Sequence, residues 1–458
     1  FLTRAGMRVL VLEQHTKIGG YAHSFKRKRF VFESGIHSVS MSKNGLIFHL
    51  LRLLGVENKV EAVEHPEMYS VSLPEFSMAI PSRKDEIYDF LQGSFSDQKD
   101  NIRNLFKQAD IFYKNIVDPI FNFEHTFQEM NREFVTQYHN RSYGNFIRSI
   151  ISDERLKLLL FGQWPYVGSS PDYSPNLFTF MMFLVHIIEG SHCCKGGFST
   201  LASSLASVII NGGGKIQVSS RVKSIIVEKK HARGICLENN DEFEADIVVS
   251  NISPYLIHNK MLKEEHQSRR WKKRITNLRP SVSSVILYLG INQKVDEIIP
   301  HNIHFWYASS DYKKIFYNVL NNKKEAIDHL IFLKNYVNKN QTLTLMNFVQ
   351  KSFSLDWKSE KKRIAEMMLN KAEEIFPGFN SLIEVIEIGS PTTFERYTSN
   401  INGALYGFEN TKSMYGEAKM PITTHIDNLF QTGHWGKPGC SVWNVMSNAY
   451  TASKIILK

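Results

Sequence analysis

The stretch that decides the fold is MRVLVLEQHTKIGGYAHSF, residues 7–25. Its first half, residues 7–13, is an apolar run of valine and leucine closed by Glu13. That is the pattern of the second strand of a dinucleotide-binding βαβ unit, whose terminal acid accepts hydrogen bonds from a ribose. An ordinary parallel strand can end in the same way, so the carboxylate alone leaves both readings open. Residues 1–6 read as the tail of a helix closed by Gly6. The glycine fingerprint that goes with such an acid lies about 20 residues upstream of it. Only twelve residues precede Glu13, so the first strand and its GxGxxG turn are expected to be missing from a chain cut at its N-terminus. Gly19 and Gly20 follow the acid, and two consecutive glycines let backbone approach a bound phosphate or flat ring closely.

Working outward, the 458 residues are 43% hydrophobic and 22% charged, which excludes wholesale disorder and allows a large core without staples. Aromatics reach 12%, with 31 Phe and 18 Tyr, enough to line a large apolar cavity or to fill a rich core. The net charge of +10 is scattered apart from two clusters, residues 26–29 and residues 269–274. Both read first as solvated edges and second as contacts for an anionic lipid surface. No nucleic-acid-binding motif accompanies them. Four cysteines, Cys193, Cys194, Cys236 and Cys440, form neither a disulfide framework nor a CxxC pair, which predicts a cytoplasmic chain. The longest apolar run, residues 177–188, is too short for a membrane span and contains His186, so it reads as a buried or interfacial helix.

Three further patterns follow in order. Residues 32–37 form a short strand ending at Gly35. Gly196 and Gly197 open a helix with Phe198, Leu201, Ala202 and Leu205 at helical spacing. A turn cluster at residues 211–214 then leads into a β hairpin or meander over 215–228 and 231–237, and into the strand-like Ala245-Asp246-Ile247-Val248-Val249-Ser250-Asn251. Near the end, a buried strand over 428–432 stops at Gly433, and Pro438-Gly439 leads into an apolar helix over 442–456. The N-terminus of such a helix favours anionic charge. Between these blocks, residues 41–189 are helix-rich, with apolar segments at 46–54, 102–123 and 156–160. Residues 253–397 mix strands at 282–291 and 303–307 with a helix at 360–376. Neither stretch carries a nucleophilic triad, a metal cluster or a phosphate loop. His23, His37, His186 and His192 could line a site, although a lone histidine is more often structural.

Taken together, Glu13-Gln14-His15-x-x-x-Gly19-Gly20-x-x-His23-Ser24-Phe25, then Phe32-x-x-Gly35-x-His37, and the two later blocks in this order resemble a family of FAD-dependent flavoproteins. The family is that of the phytoene desaturases, carotenoid isomerases and retinol saturases, within the amine-oxidase-like superfamily. The resemblance implies an α/β architecture. A Rossmann-like FAD-binding domain would be assembled from residues 1–40, 191–253 and 396–458. A mixed α+β substrate domain would be built from 41–190 and 254–395. It implies FAD contacts at Glu13, Gln14, Gly19, Gly20, Ser24, Gly35, Val222 (by its backbone), Gly433, His434, Gly439 and Val442. His434 and the pair Cys440-Ser441 depart from the family, where an acid or small residue and glycines are usual. Cys440 itself reads as a packed thiol. The implied activity is desaturation, saturation or cis–trans isomerisation of a lipophilic polyene or isoprenoid, with peripheral membrane contact. An amine-oxidase-like enzyme and a non-catalytic remnant without FAD are the alternatives.

Overall fold

The computed structural model describes residues 1–121, 132–292, 295–322, 325–335, 342–352 and 354–458. The last two positions of the expected apolar segment 102–123 lie outside the described residues. The rest of that segment is helical, Lys99–Phe112 continuing through Tyr113–Val117 into Asp118–Phe121.

The short runs of valine and leucine form parallel pairs. Leu10–Leu12 lies beside Lys215–Gln217, and Val248–Ser250 beside Leu429–Gln431. Parallel pairing needs long crossover connections, and the helix Phe198–Asn211 supplies the connection into Lys215–Gln217. These two pairs are separate two-stranded sheets. The strands Val222–Glu228, His231–Leu237 and Glu242–Glu244 form the meander expected from the alternating pattern.

The largest sheet has seven strands in the order Ile383–Gly389, Ser283–Ile291, Thr342–Val349, His329–Lys334, Ile303–Tyr307, Glu67–Leu73 and Phe76–Pro81. Ser283–Ile291 is buried along its whole length, as are Ile303–Tyr307 and His329–Lys334. That is what continuous apolar strands covered on both faces predict. The helix Trp357–Ile375 covers one face with Ile364, Ala365 and Met368. Trp164, fully buried, is edge-on to Phe316 at 5.8 Å between ring centroids and meets Phe348 at 5.5 Å.

The run 177–188 is indeed a buried helix, Asn176–Glu189. No helix among the described residues is long and apolar enough to cross a membrane. Of the basic clusters, residues 26–29 span the end of strand Ser24–Arg27 and the two-residue turn into strand Phe30–Glu33. There Arg27 pairs with Glu387 at 2.9 Å and Arg29 with Glu384, so the hairpin is tied to the edge strand of the large sheet. Both arginines are about half exposed, which makes these weak contacts.

Candidate active site

The three sequence blocks converge on one cavity of about 2390 Å³. Of the residues implied as cofactor contacts, Glu13, Gln14, Gly19, Gly20, Gly35, Val222, Gly433, His434 and Val442 line it. Ser24 and Gly439 do not. Ser24 Oγ donates to Glu33 Oε1 at 2.7 Å, and Glu33 in turn accepts from the Phe198 amide at 3.2 Å. Ser24 therefore fastens the hairpin to the head of the helix Phe198–Asn211. Gly439 has φ +128°, and a Cβ there would come within 2.8 Å of Lys419 Nζ, so its smallness serves packing.

At one end the lining is polar and glycine-rich. Glu13 continues the parallel pairing, its amide donating to the Gln217 carbonyl at 2.9 Å. Its side-chain Oε1 accepts from the His15 amide at 2.7 Å, which fixes the carboxylate at the cavity wall. Gly19 has φ +111°, and a Cβ there would meet the Ala22 carbonyl oxygen at 2.8 Å and Ala202 at 3.1 Å. Gly20 also has a positive φ, and a Cβ there would stand in open space. The turn thus presents bare backbone to the cavity. Gln14 is committed elsewhere: its Nε2 donates to the Tyr397 carbonyl at 2.6 Å and its Oε1 accepts from Ser399 Oγ at 3.1 Å. Its amide ties this turn to a segment nearly four hundred residues away, so the side chain is a brace.

Toward the C-terminal block, the strand Leu429–Gln431 runs into Gly433 at φ +84°. The Gly433 amide donates to Asn448 Oδ1 at 3.2 Å, which anchors the turn to the terminal helix Val442–Ile456. Ser441 caps that helix by accepting from the Asn444 amide at 3.1 Å. The first turn of the helix lines the cavity and brings its positive dipole end to the wall. Behind it lies Lys419, fully buried, with Nζ donating to Asn410 Oδ1 at 2.8 Å. Burial lowers its pKa to about 8. Burial, helped by the nearby Lys419 charge, lowers His434 to about 4, so its imidazole is neutral near pH 7. The Cys440 thiol is buried, accepts from Asn410 Nδ2 at 3.2 Å and is pushed up by desolvation, which makes it the packed, unreactive thiol expected from the sequence.

The opposite wall is apolar. Phe178, Met181, Met182 and Val185 of the helix Asn176–Glu189 face Phe305, Met346 and Phe348 of the large sheet. Of the large sheet's carboxylates, Glu387 of the edge strand Ile383–Gly389 reaches the cavity lining, and it is paired with Arg27. Of the four candidate histidines, His23, His37 and His186 line the cavity, whereas His192 pairs with Glu64 in a two-stranded ladder outside it. The sequence reading missed Tyr166, which lines the cavity between His37 and His186. Among the described residues, no group of histidine, cysteine and carboxylate side chains could hold a metal.

These residues fit a flavin dinucleotide. A fixed carboxylate stands at a strand end, a two-glycine turn leaves its backbone open, and a helix N-terminus backed by a buried lysine meets the cavity wall, which suits a ligand that carries negative charge.

Comparison with known proteins agrees. Residues 2–456 match the family model described as flavin containing amine oxidoreductase. A 4,4'-diapophytoene desaturase (4,4'-diapolycopene-forming) of Methylomonas sp. is 22% identical over 99% of this chain and 91% of its own length. The chloroplastic prolycopene isomerase of Daucus carota is 25% identical over 95% of this chain and 74% of its own. The all-trans-retinol 13,14-reductase of Danio rerio is 23% identical over all of this chain and 83% of its own. Among solved structures, an oxidoreductase from Methanosarcina mazei superposes with a TM-score of 0.65 at 19% identity, covering all of this chain and 96% of that one. A putrescine oxidase variant gives 0.62 at 14% identity, covering all of this chain and 95% of that one. At such identities the structural likeness concerns the fold.

Proposed function

The chain belongs to the flavin-containing amine oxidoreductase family, and from that premise we propose that it desaturates, saturates or isomerises a long lipophilic polyene or isoprenoid. The observation that carries this reading is the asymmetry of the cavity, a glycine-rich polar end facing an apolar wall of phenylalanine and methionine. The relatives named above act on carotenoid and retinoid molecules, which supports the same substrate class. In this reading residues 1–40, 191–253 and 396–458 hold FAD, and residues 41–190 and 254–395 build the substrate side and include the large sheet.

Bound FAD supplies hydride acceptance and donation at its ring. The chain's own residues do the rest. Phe178, Met181 and Phe305 exclude water and align the polyene by contact area alone, since such a chain offers nothing to a charged group. The helix end at Val442 and, behind it, the buried Lys419 cation would stabilise negative charge on a bound flavin. His434 stays neutral and adds no competing charge. His186 holds its proton on Nδ1, which donates to the Met182 carbonyl at 2.8 Å.

No helix among the described residues spans a membrane. A lipophilic substrate would therefore be collected by peripheral contact, and we propose this for a cytoplasmic protein.

The test is to incubate the flavin-loaded chain with long isoprenoid polyenes and separately with primary amines, once with oxygen or an added quinone as electron acceptor and once without oxygen with the flavin reduced by dithionite, and to analyse products by chromatography. Conversion of a polyene is expected. Oxidation of amines with every polyene untouched would overturn the reading. Within the same assignment, Glu13→Ala is expected to weaken FAD binding about tenfold, the worth of one hydrogen-bonded acceptor at a ribose. Unchanged affinity in a fluorescence titration would remove Glu13 from the site.

A further inference from the structure

In the apolar half of the cavity, three polar rings stack into a ladder. His37 lies over Tyr166 at 5.8 Å between centroids with 15° between planes, and Tyr166 lies over His186 at 5.7 Å and 19°. Phe305 holds Tyr166 edge-on at 5.4 Å and 88°. All three ladder rings line the cavity. The Tyr166 hydroxyl is buried without a hydrogen-bond partner, a condition that folded proteins rarely leave unused, and the His37 ring hydrogen-bonds the Gly35 backbone through one nitrogen, which leaves the other as an acceptor. His186 already spends its Nδ1 proton on the Met182 carbonyl, so its Nε2 is an acceptor.

We propose that His37, Tyr166 and His186 form a neutral hydrogen-bonding site for one uncharged oxygen, a hydroxyl or a carbonyl, on an otherwise apolar isoprenoid ligand. The proposal rests on the reading of this half of the cavity as the substrate side. Around a hydroxyl, Tyr166 donates and a histidine nitrogen accepts; around a carbonyl, Tyr166 donates. The site carries no charge near pH 7. Burial lowers His37 to about 4, depresses His186, and raises the Tyr166 phenol far above its ordinary value. A carboxylate would enter with its charge uncompensated, so the site selects against acids. A pure hydrocarbon would leave the three polar groups as they stand and gain nothing from them. The expected order is therefore alcohol first, hydrocarbon second and acid last.

The experiment uses the flavin-loaded full chain and three probes of one skeleton: all-trans-retinol, the hydrocarbon lacking its hydroxyl, and retinoic acid. Affinities are read from quenching of tryptophan fluorescence. Retinol is expected to bind about tenfold more tightly than the hydrocarbon, and retinoic acid more weakly than either. Tyr166→Phe keeps the stacked ring and removes only the hydroxyl. It is expected to bring retinol down to the hydrocarbon's affinity while leaving the hydrocarbon unchanged, so the hydrocarbon also reports that the variant is folded. Equal affinity of the wild-type chain for retinol and hydrocarbon, or a parallel loss of both in Tyr166→Phe, would overturn the oxygen site and leave the apolar chamber standing. Failure of all three probes to bind would overturn the chamber and the site together.

Discussion

Gly433→Val is expected to give a chain that folds but no longer retains flavin. Gly433 stands at φ +84°, where an L residue costs about 1–2 kcal/mol and a β-branched one more. A domain stable by roughly 5–15 kcal/mol survives that cost. The site does not survive it as well. A Cβ would lie 3.2 Å from the Asn251 carbonyl oxygen and 3.3 Å from the Asn251 Cβ. Asn251 lines the cavity immediately beyond the strand Val248–Ser250 that pairs with Leu429–Gln431, so it can yield only by moving the sheet. The turn must shift instead, and with it the Gly433 amide that donates to Asn448 and the cap of the terminal helix. A loss of flavin affinity of about a hundredfold corresponds to about 2.7 kcal/mol, which the strain and the lost alignment together supply. Circular dichroism should show a native fold, and the visible band of the purified variant should be gone. A variant that keeps its full complement of flavin would show that this turn does not face the cofactor.

The second large effect concerns stability and pH. Glu189 ends the helix Asn176–Glu189 with only 4% of its surface exposed. Its Oε2 accepts from the Ser42 amide at 3.3 Å, and the Trp443 side chain and the Leu46 amide also reach the carboxyl, which offsets part of the cost of burial. A Cβ on Gly45 would fall 1.9 Å from Oε2, which is why a glycine faces this acid. Burial raises the Glu189 carboxyl from its ordinary 4.5 to about 8, and its place at the negative end of a helix acts in the same direction. The sign follows directly. Between pH 4.5 and pH 8 the folded chain holds a proton that the unfolded chain has released, so stability falls as pH rises through that window. Glu189→Gln removes the titration. Each tenfold change in the protonation equilibrium is worth about 1.4 kcal/mol, so the variant should exceed the wild type by about 4 kcal/mol at pH 8 and nearly match it at pH 4.5. Urea unfolding at both pH values measures the difference. An advantage that does not grow with pH would mean that Glu189 is ionised and paired in the folded chain.

Much of this site was legible wherever the signal was local. The helices Leu46–Leu54 and Val442–Ile456 and the strand Ile303–Tyr307 have the bounds read from apolar periodicity and turn residues. Gly19, Gly20 and Gly433 lie at turns with positive φ on the cavity wall, a backbone requirement that leaves a mark in sequence. The large sheet was less legible. Its order joins strands from residues 67–81 to strands beyond residue 283, and long-range pairing leaves no local trace. Gln14 shows the same limit, since the partners that occupy its amide, Tyr397 and Ser399, are remote in sequence. Ser24 has a further bond that no local pattern announces: its hydroxyl meets Glu33, whose pairing with the Phe198 amide no spacing rule foretells. Tyr166 lay in a single short turn, Trp164–Tyr166, and belongs to no motif. Only the stacking of His37 and His186 on its two faces sets it apart.

The most direct test of the account is an equilibrium titration of the purified chain with FAD, following the visible flavin band and flavin fluorescence side by side for the wild type and Gly433→Val. The account predicts saturable binding of one flavin per chain in the wild type, with a perturbed band and quenched fluorescence, and about a hundredfold weaker binding in the variant. Binding that is absent from the wild type, or equal in the two proteins, would contradict it.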